Sequence, residues 1–188
     1  MELKEVNESL NSYIRPGSFP VAIKMVSSAD EIPEKVKMSK RDLGMMMPVC
    51  QGIALARRYG WSVAMGEEDM LCPFGALTLG FLPAKPKFLD GTFNLPFWLK
   101  DQAARARIVQ AIPRFEQGKY THVVMAPLHR ANFEPQVIVI YGNPAQVARL
   151  IQAISYGTGQ PVVSSSIGGF ACGEGITKTI LTDQCQFI

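Results

Sequence analysis

Three of the four cysteines stand where a thiol is chemically available. Cys50 and Cys72 lie by prolines at predicted helix starts, in Met47-Pro48-Val49-Cys50-Gln51-Gly52 and Leu71-Cys72-Pro73-Phe74-Gly75-Ala76, and Cys172 lies in a glycine-rich stretch. A helix start presents unpaired N–H groups that favour negative charge, and a thiol there ionises more readily. The chemistry this suggests is a thiolate-built site. The plainer alternative is that free cysteine is among the most buried residue types and packs as a small hydrophobe.

Other chemistries have less behind them. Zinc sites usually show a close pair such as Cys-x-x-Cys, or His-Glu-x-x-His on one helical face, and neither occurs. An iron–sulfur cluster accepts ligands dispersed over converging loops, and soft thiolates suit iron. In Ile167-Gly168-Gly169-Phe170-Ala171-Cys172-Gly173-Glu174-Gly175 the glycines permit close backbone approach to a bound group. Gly168, Gly169 and Gly173 are therefore candidate cofactor-binding positions, with simple turns as the alternative. The run is not a P-loop, because Ile176-Thr177-Lys178 follows Gly175, and no Gly-x-Gly-x-x-Gly pattern occurs. A nucleophile among Ser164, Ser165, Ser166 and the cysteines would need His122 or His129 as its base, and no Gly-x-Ser-x-Gly elbow is present.

The elements that must position these residues are legible as an alternation of helix and strand signals. Leu3, Val6, Leu10 and Ile14 predict an amphipathic helix over 2–14 that ends before Pro16-Gly17, and Phe19 to Val26 predicts a first strand. The charged segment from Ser27 to Asp42 reads as an exposed connection. A helix over 48–59 follows, with Arg57-Arg58 complementing its C-terminal dipole as a solvated end. Trp61 to Met65 is a short strand, and Pro73 at a first helical position makes Cys72 the cap of a helix toward Leu79. Residues 85–99 read as an irregular excursion anchored by Phe93, Phe97 and Trp98. Asp101 caps a helix to Ile112 with Arg105 and Arg107 on its wet face.

His122 to Pro127 and Gln136 to Tyr141 are the clearest strands, expected to be neighbours joined by a long hairpin loop. Asn143-Pro144 starts a helix over 145–156, with Val147, Leu150, Ile151 and Ile154 on one face. Pro161 to Ser166 reads as a strand entering the glycine-rich loop. The expected architecture is α/β: a mixed sheet with antiparallel neighbours flanked by helices, a single-domain sandwich over residues 1–188.

Composition bounds the function. The 188 residues are 47% hydrophobic and 19% charged, which is globular and leaves room for an apolar pocket or an interface between copies in a homo-oligomer. A net charge of +3 is too small for a polyanion partner, so no nucleic acid is expected. The apolar stretch from Met70 to Ala84 carries two prolines and falls short of the ~20 residues of a membrane span. The acidic start Met-Glu-Leu-Lys-Glu lacks the pattern of an export signal. That reading places the chain in the cytoplasm with reduced cysteines.

Several runs together resemble the uncharacterised family called domain of unknown function 169. They are Pro20-Val21-Ala22-Ile23-Lys24, Cys50-Gln51 with Ala56-Arg57, Glu68-Asp69-Met70-Leu71-Cys72-Pro73 with Gly75-Ala76 and Leu79-Gly80, and Gly118-Lys119-Tyr120. Ala126-Pro127-Leu128, Phe133-Glu134-Pro135, Tyr141-Gly142-Asn143-Pro144-Ala145-Gln146 and the Ser164 to Cys172 region continue the likeness. The family occurs mostly in anaerobic bacteria and archaea, and its recurrent cysteines imply an iron–sulfur or other metal role. Cys50, Cys72 and Cys172 fall at positions resembling the recurrent ones, whereas Cys185 is an extra. Members look longer, continuing past the equivalent of Ile188 into a segment with a further cysteine and a C-terminal helix. If a cluster takes four protein thiolates, the resemblance leaves Cys185 to substitute or one position open to a small ligand.

The leading expectation is a protein that binds an iron–sulfur cluster or other thiolate-bound metal through Cys50, Cys72 and Cys172, with redox or small-molecule chemistry at the open position. Its partners would be a small molecule or an electron-transfer protein. The competing expectation is a module that holds a small organic ligand or cofactor in an apolar pocket lined by Phe74, Phe93, Phe97 and Trp98, the cysteines merely packing. A Ser/Cys hydrolase is third.

Overall fold

β1 (Val21–Val26) is buried on both sides, with only Lys24 reaching partly to solvent, as suits a strand inside the sheet rather than at its edge. In the computed structural model, which describes residues 2–93 and 99–188, it lies in a five-stranded sheet with β2 (Lys37–Met38), β3 (Val63–Gly66), β4 (His122–Pro127) and β5 (Val137–Val139). The order is β2-β3-β4-β1-β5, antiparallel throughout except for the parallel β2–β3 edge. The mixed α/β architecture is the one the sequence predicts.

Side chains alternate across this sheet and both faces are covered. Val21, Ile23, Met25, Val63, Met65, Val123 and Met125 point to one face, where the main core also holds Val49, Ile53, Ala76 and Leu79. Those four residues come from α3 (Val49–Tyr59), α4 (Pro73–Thr78) and the residue that ends α4. Ala22, Val26, Met38, Ala64, Val124 and Ala126 point to the other face, against Leu3 and Val6 of α1 (Leu3–Ser9) and Leu10 just beyond it. α1 continues as a wider π turn over Leu10–Ile14, and Arg15 ends it at a left-handed φ of 54°. The remaining helices are α2 (Ser39–Leu43), α5 (Pro86–Leu89), α6 (Gln102–Ala111), α7 (Pro144–Thr158) and α8 (Thr179–Thr182). Among the described residues, no helix is long and apolar enough to cross a membrane.

Four expectations change. The Ser27 to Asp42 segment is not only a connection: it contributes the edge strand β2 and opens α2. β4 and β5 are not neighbours, because β1 lies between them and pairs with both. Residues 161–166 form no ladder, and Ser164 bonds instead to the chain end, its Oγ donating to the Phe187 carbonyl and accepting from the Phe187 N–H. Arg105 does not face water. It is 1% exposed, with its guanidinium 5.2 Å from the Phe74 ring centre and 5.3 Å from that of Phe170. Arg107, by contrast, is exposed as expected.

Candidate functional site

The segments that lead into Cys50 and Cys72 are joined by a short parallel bridge. Met47 N–H donates to the Asp69 carbonyl at 2.9 Å, and Leu71 N–H donates to the Met47 carbonyl at 3.1 Å. Each bridged segment then runs into a helix, Cys50 becoming the second residue of α3 and Cys72 the cap before Pro73 of α4. The bridge rests on the buried Asp69 carboxylate. It accepts from Ser39 Oγ at 3.0 Å, Lys40 N–H at 2.8 Å and Gly66 N–H at 2.8 Å. α3 seats closely on the sheet through Gly52, where a Cβ would stand 2.6 Å from Met125 Cε.

Cys172 arrives from the C-terminal part of the chain. Residues 171–182 are helical, with a π-helical stretch over Gly173–Lys178, so the predicted loop is ordered from Ala171 onward. Gly173 lies against α4: a Cβ there would meet Thr78 Oγ1 at 2.8 Å and Ile112 Cγ2 at 3.0 Å. Thr177 Oγ1 donates to the Thr78 carbonyl at 3.2 Å and ties the same two elements together. Buried Glu174 holds the preceding turn, accepting from Ile167 N–H at 2.9 Å and from Ser166 Oγ at 3.2 Å. Gly168 in that turn has φ 75°, open to glycine alone without strain, and a Cβ there would meet nothing within 4 Å.

Cys72 and Cys172 lie on either side of Gly75, and the neighbour of Cys50 touches the same place. A Cβ built on Gly75 would lie 3.9 Å from Cys172 Sγ, 3.8 Å from Cys72 Cβ and 3.4 Å from Val49 Cγ2, the neighbour of Cys50. Burial pushes the Cys172 thiol up to about 12, and the Cys72 thiol beside it and that of Cys50 push the same way. Cys72 and Cys172 are both half-buried, and Cys50 is exposed. Cys185 is exposed near the chain end. Among the described residues, no three His, Cys, Asp or Glu side chains stand as a ready-made group for one metal ion.

The other predicted residues are elsewhere. His122 Nδ1 is 2.9 Å from Thr121 Oγ1, and the His129 ring lies 4.7 Å from Phe19. Burial pushes both histidines below their usual range, with Arg130 adding to the effect at His129. Among the described residues no hydrogen bond joins either histidine to a serine or cysteine; Ser165 Oγ accepts from Lys178 Nζ at 2.7 Å. The aromatic side chains near Cys72 pack edge-to-face, Phe74 lying 5.5 Å from Phe93, 6.0 Å from Phe88 and 5.1 Å from Phe170. Phe97 and Trp98 lie outside the described residues. Sequence reasoning missed Gly75, Asp69 and Thr78. Only the apolar run before each helix start hints at the Met47–Met70 bridge.

Residues 9–188 match the profile of the family described as uncharacterised ArCR, domain of unknown function 169, and the chain belongs to that family. It is 34% identical over 141 residues to an uncharacterized protein of Methanocaldococcus jannaschii, covering 74% of this chain. The matched stretch spans 58% of that relative's length. No solved structure matches the chain.

Proposed function

We propose that this family member holds an iron–sulfur cluster or another thiolate-bound metal on Cys50, Cys72 and Cys172, with one position left open. The observation that carries the reading is the gathering of Cys72 and Cys172 about the side-chain-free Cα of Gly75, with Cys50 near enough to act on the Cys172 thiol. A thiol that resists ionisation because it is buried, and then because other thiols lie near it, would gain from a cation: a metal would displace the proton and turn thiolate repulsion into shared ligation. Two of the three sulfurs also stand at the starts of helices, where the local field favours negative charge. The open position would take a small ligand or serve electron exchange with a partner, in a reducing compartment such as the cytoplasm.

A second reading, in which the cysteines only pack, is favoured by the contacts of Cys172 with the main core and of Cys72 with the aromatic cluster around Phe74. Anaerobic purification, or reconstitution with iron and sulfide, separates the two. A cluster gives brown protein with broad absorbance near ~400 nm and bound iron. Cys50→Ser, Cys72→Ser and Cys172→Ser should each lose metal while keeping their far-ultraviolet dichroism, and Cys185→Ser should retain it. Colourless protein that takes up neither iron nor zinc leaves the packing reading in possession.

A further inference from the structure

Residues of two stretches that the cysteine site does not use, Arg57 to Tyr59 and Tyr141 to Asn143 with Gln146, meet on the surface of the protein. They line an open cleft of about 1180 Å³, ample for a small molecule. Its lining includes Arg15, Arg57 and Arg58 and, among the described residues, no Asp or Glu. A chain whose net charge is only +3 therefore gathers three arginines on one concave surface without an acid to balance them. Ordinary surface charge is interspersed in sign. Here, the two ion pairs among the described residues, Lys40–Glu68 and Arg41–Asp42, both lie elsewhere.

The cleft is also built firmly. The Arg57 guanidinium lies over the Tyr141 ring, 3.8 Å from its centre, a cation–π contact that holds it at the cleft surface. Phe19 N–H donates to the Arg57 carbonyl at 3.0 Å, which closes one wall against the end of α3. The opposite wall is the start of α7. There Gln146 Nε2 donates to the Ile14 carbonyl at 3.0 Å and the Arg15 carbonyl at 2.6 Å, while Gln146 Oε1 accepts from Asn143 N–H at 2.8 Å. That one side chain ties the segment carrying Arg15 to the helix start. Phe19 at 44% exposure and Tyr59 at 66% leave flat apolar surface beside the arginines.

We propose that this cleft binds a small phosphorylated compound, its phosphate oxygens held by Arg57 and Arg58 with Arg15 across the cleft, and the rest of the molecule lying against Phe19 and Tyr59. Guanidinium groups suit phosphate because they offer paired N–H donors in a plane that matches its oxygens. The cleft is separate from the cysteines: Cys50 and Arg57 stand at opposite ends of α3, about 10 Å apart along its axis. The proposal therefore does not depend on whether metal is bound.

The test is titration calorimetry on the full chain at low salt with pyrophosphate, ADP and citrate as probes. Saturable binding of pyrophosphate and tighter binding of ADP are expected, falling about tenfold in Arg57→Ala and in Arg58→Ala and weakening with added salt. Arg57→Lys, which keeps the charge but loses the planar fork, should weaken binding as well. Tyr141→Leu should weaken it by releasing Arg57. These side chains are at the surface, and unchanged melting will show that the variants fold. Failure of both pyrophosphate and ADP to bind overturns the proposal, as does wild-type affinity in both alanine variants. Citrate binding tighter than either phosphate probe overturns the choice of phosphate.

Discussion

Gly75→Ala distinguishes a metal centre from packed cysteines more cleanly than removal of any cysteine, because it leaves every sulfur in place. Gly75 is the third residue of α4, a helix of 6 residues, and has no side chain to lose. The added methyl would meet Val49 Cγ2 at 3.4 Å, Cys72 Cβ at 3.8 Å and Cys172 Sγ at 3.9 Å, all ordinary contact distances. Alanine in place of helical glycine stabilises by about 0.5–1 kcal/mol, here toward the lower figure so near the helix start. For a chain of this size that is a rise in melting temperature of about 1–4 °C in the metal-free protein. The same methyl occupies the ground between Cys72 and Cys172. Iron retained after anaerobic reconstitution should fall by about tenfold or more, as when supporting groups of a metal site are displaced. Calorimetric melting of the metal-free form and iron analysis of the reconstituted form provide the two measurements. A variant that loads iron as the wild type does would refute the placement of the centre, and one that melts markedly lower would refute the steric reasoning.

Asp69→Ala should lower stability by roughly 2–4 kcal/mol, because Ser39 Oγ, Lys40 N–H and Gly66 N–H lose their common acceptor; the urea midpoint measures it. Arg105→Ala, by removing a buried stem and guanidinium packed on Phe74 and Phe170, should cost about 2–4 kcal/mol by the same assay. In the metal-free protein, Cys172 holds its proton more tightly folded than unfolded, so its contribution is complete below pH 9 and is lost as pH rises from 9 toward 12. The loss is of the order of 4 kcal/mol at most. Measured as a difference between wild type and Cys172→Ser, to remove the titration of lysines and tyrosines, the wild type should lose more stability over that window. Parallel alkaline limbs would refute it.

What was legible in the sequence was local chemistry. Asn143-Pro144 reads as a helix start because a cap needs only its own next three residues, and Asn143 Oδ1 does accept from Gln146 N–H at 3.0 Å. Cys72 before Pro73 is legible for the same reason. The insertion of β1 between β4 and β5 is not local, and strand periodicity says nothing about which strands pair. Gly173 shows the ambiguity at one residue. In sequence it signals a loop, whereas in the fold it is a helical glycine that lets the C-terminal helix approach Thr78 and Ile112. Arg105 was read as wet because arginine usually is, and the aromatic side chains that receive it come from two other segments. The approach of Cys172 to Cys72 was the least legible of all, since it depends on how closely the C-terminal helix seats on α4 at Gly75 and Gly173.

α3 connects the two candidate sites, and its polarity treats them differently. Its N-terminal end, where Cys50 sits, carries partial positive charge, the polarity that suits a negatively charged group. Its C-terminal end carries partial negative charge, which repels an anion. Phosphate at that end must therefore be held by side chains, and Arg57 and Arg58 first offset the helix charge before they attract a ligand. The start of α7 across the cleft, with its opposite polarity, recovers part of that loss, and α7 at 15 residues is long enough for the effect to be felt. Affinity in the cleft should accordingly be more sensitive to removing one arginine than a count of charges suggests, because each guanidinium lost leaves the negative end of the α3 dipole less offset.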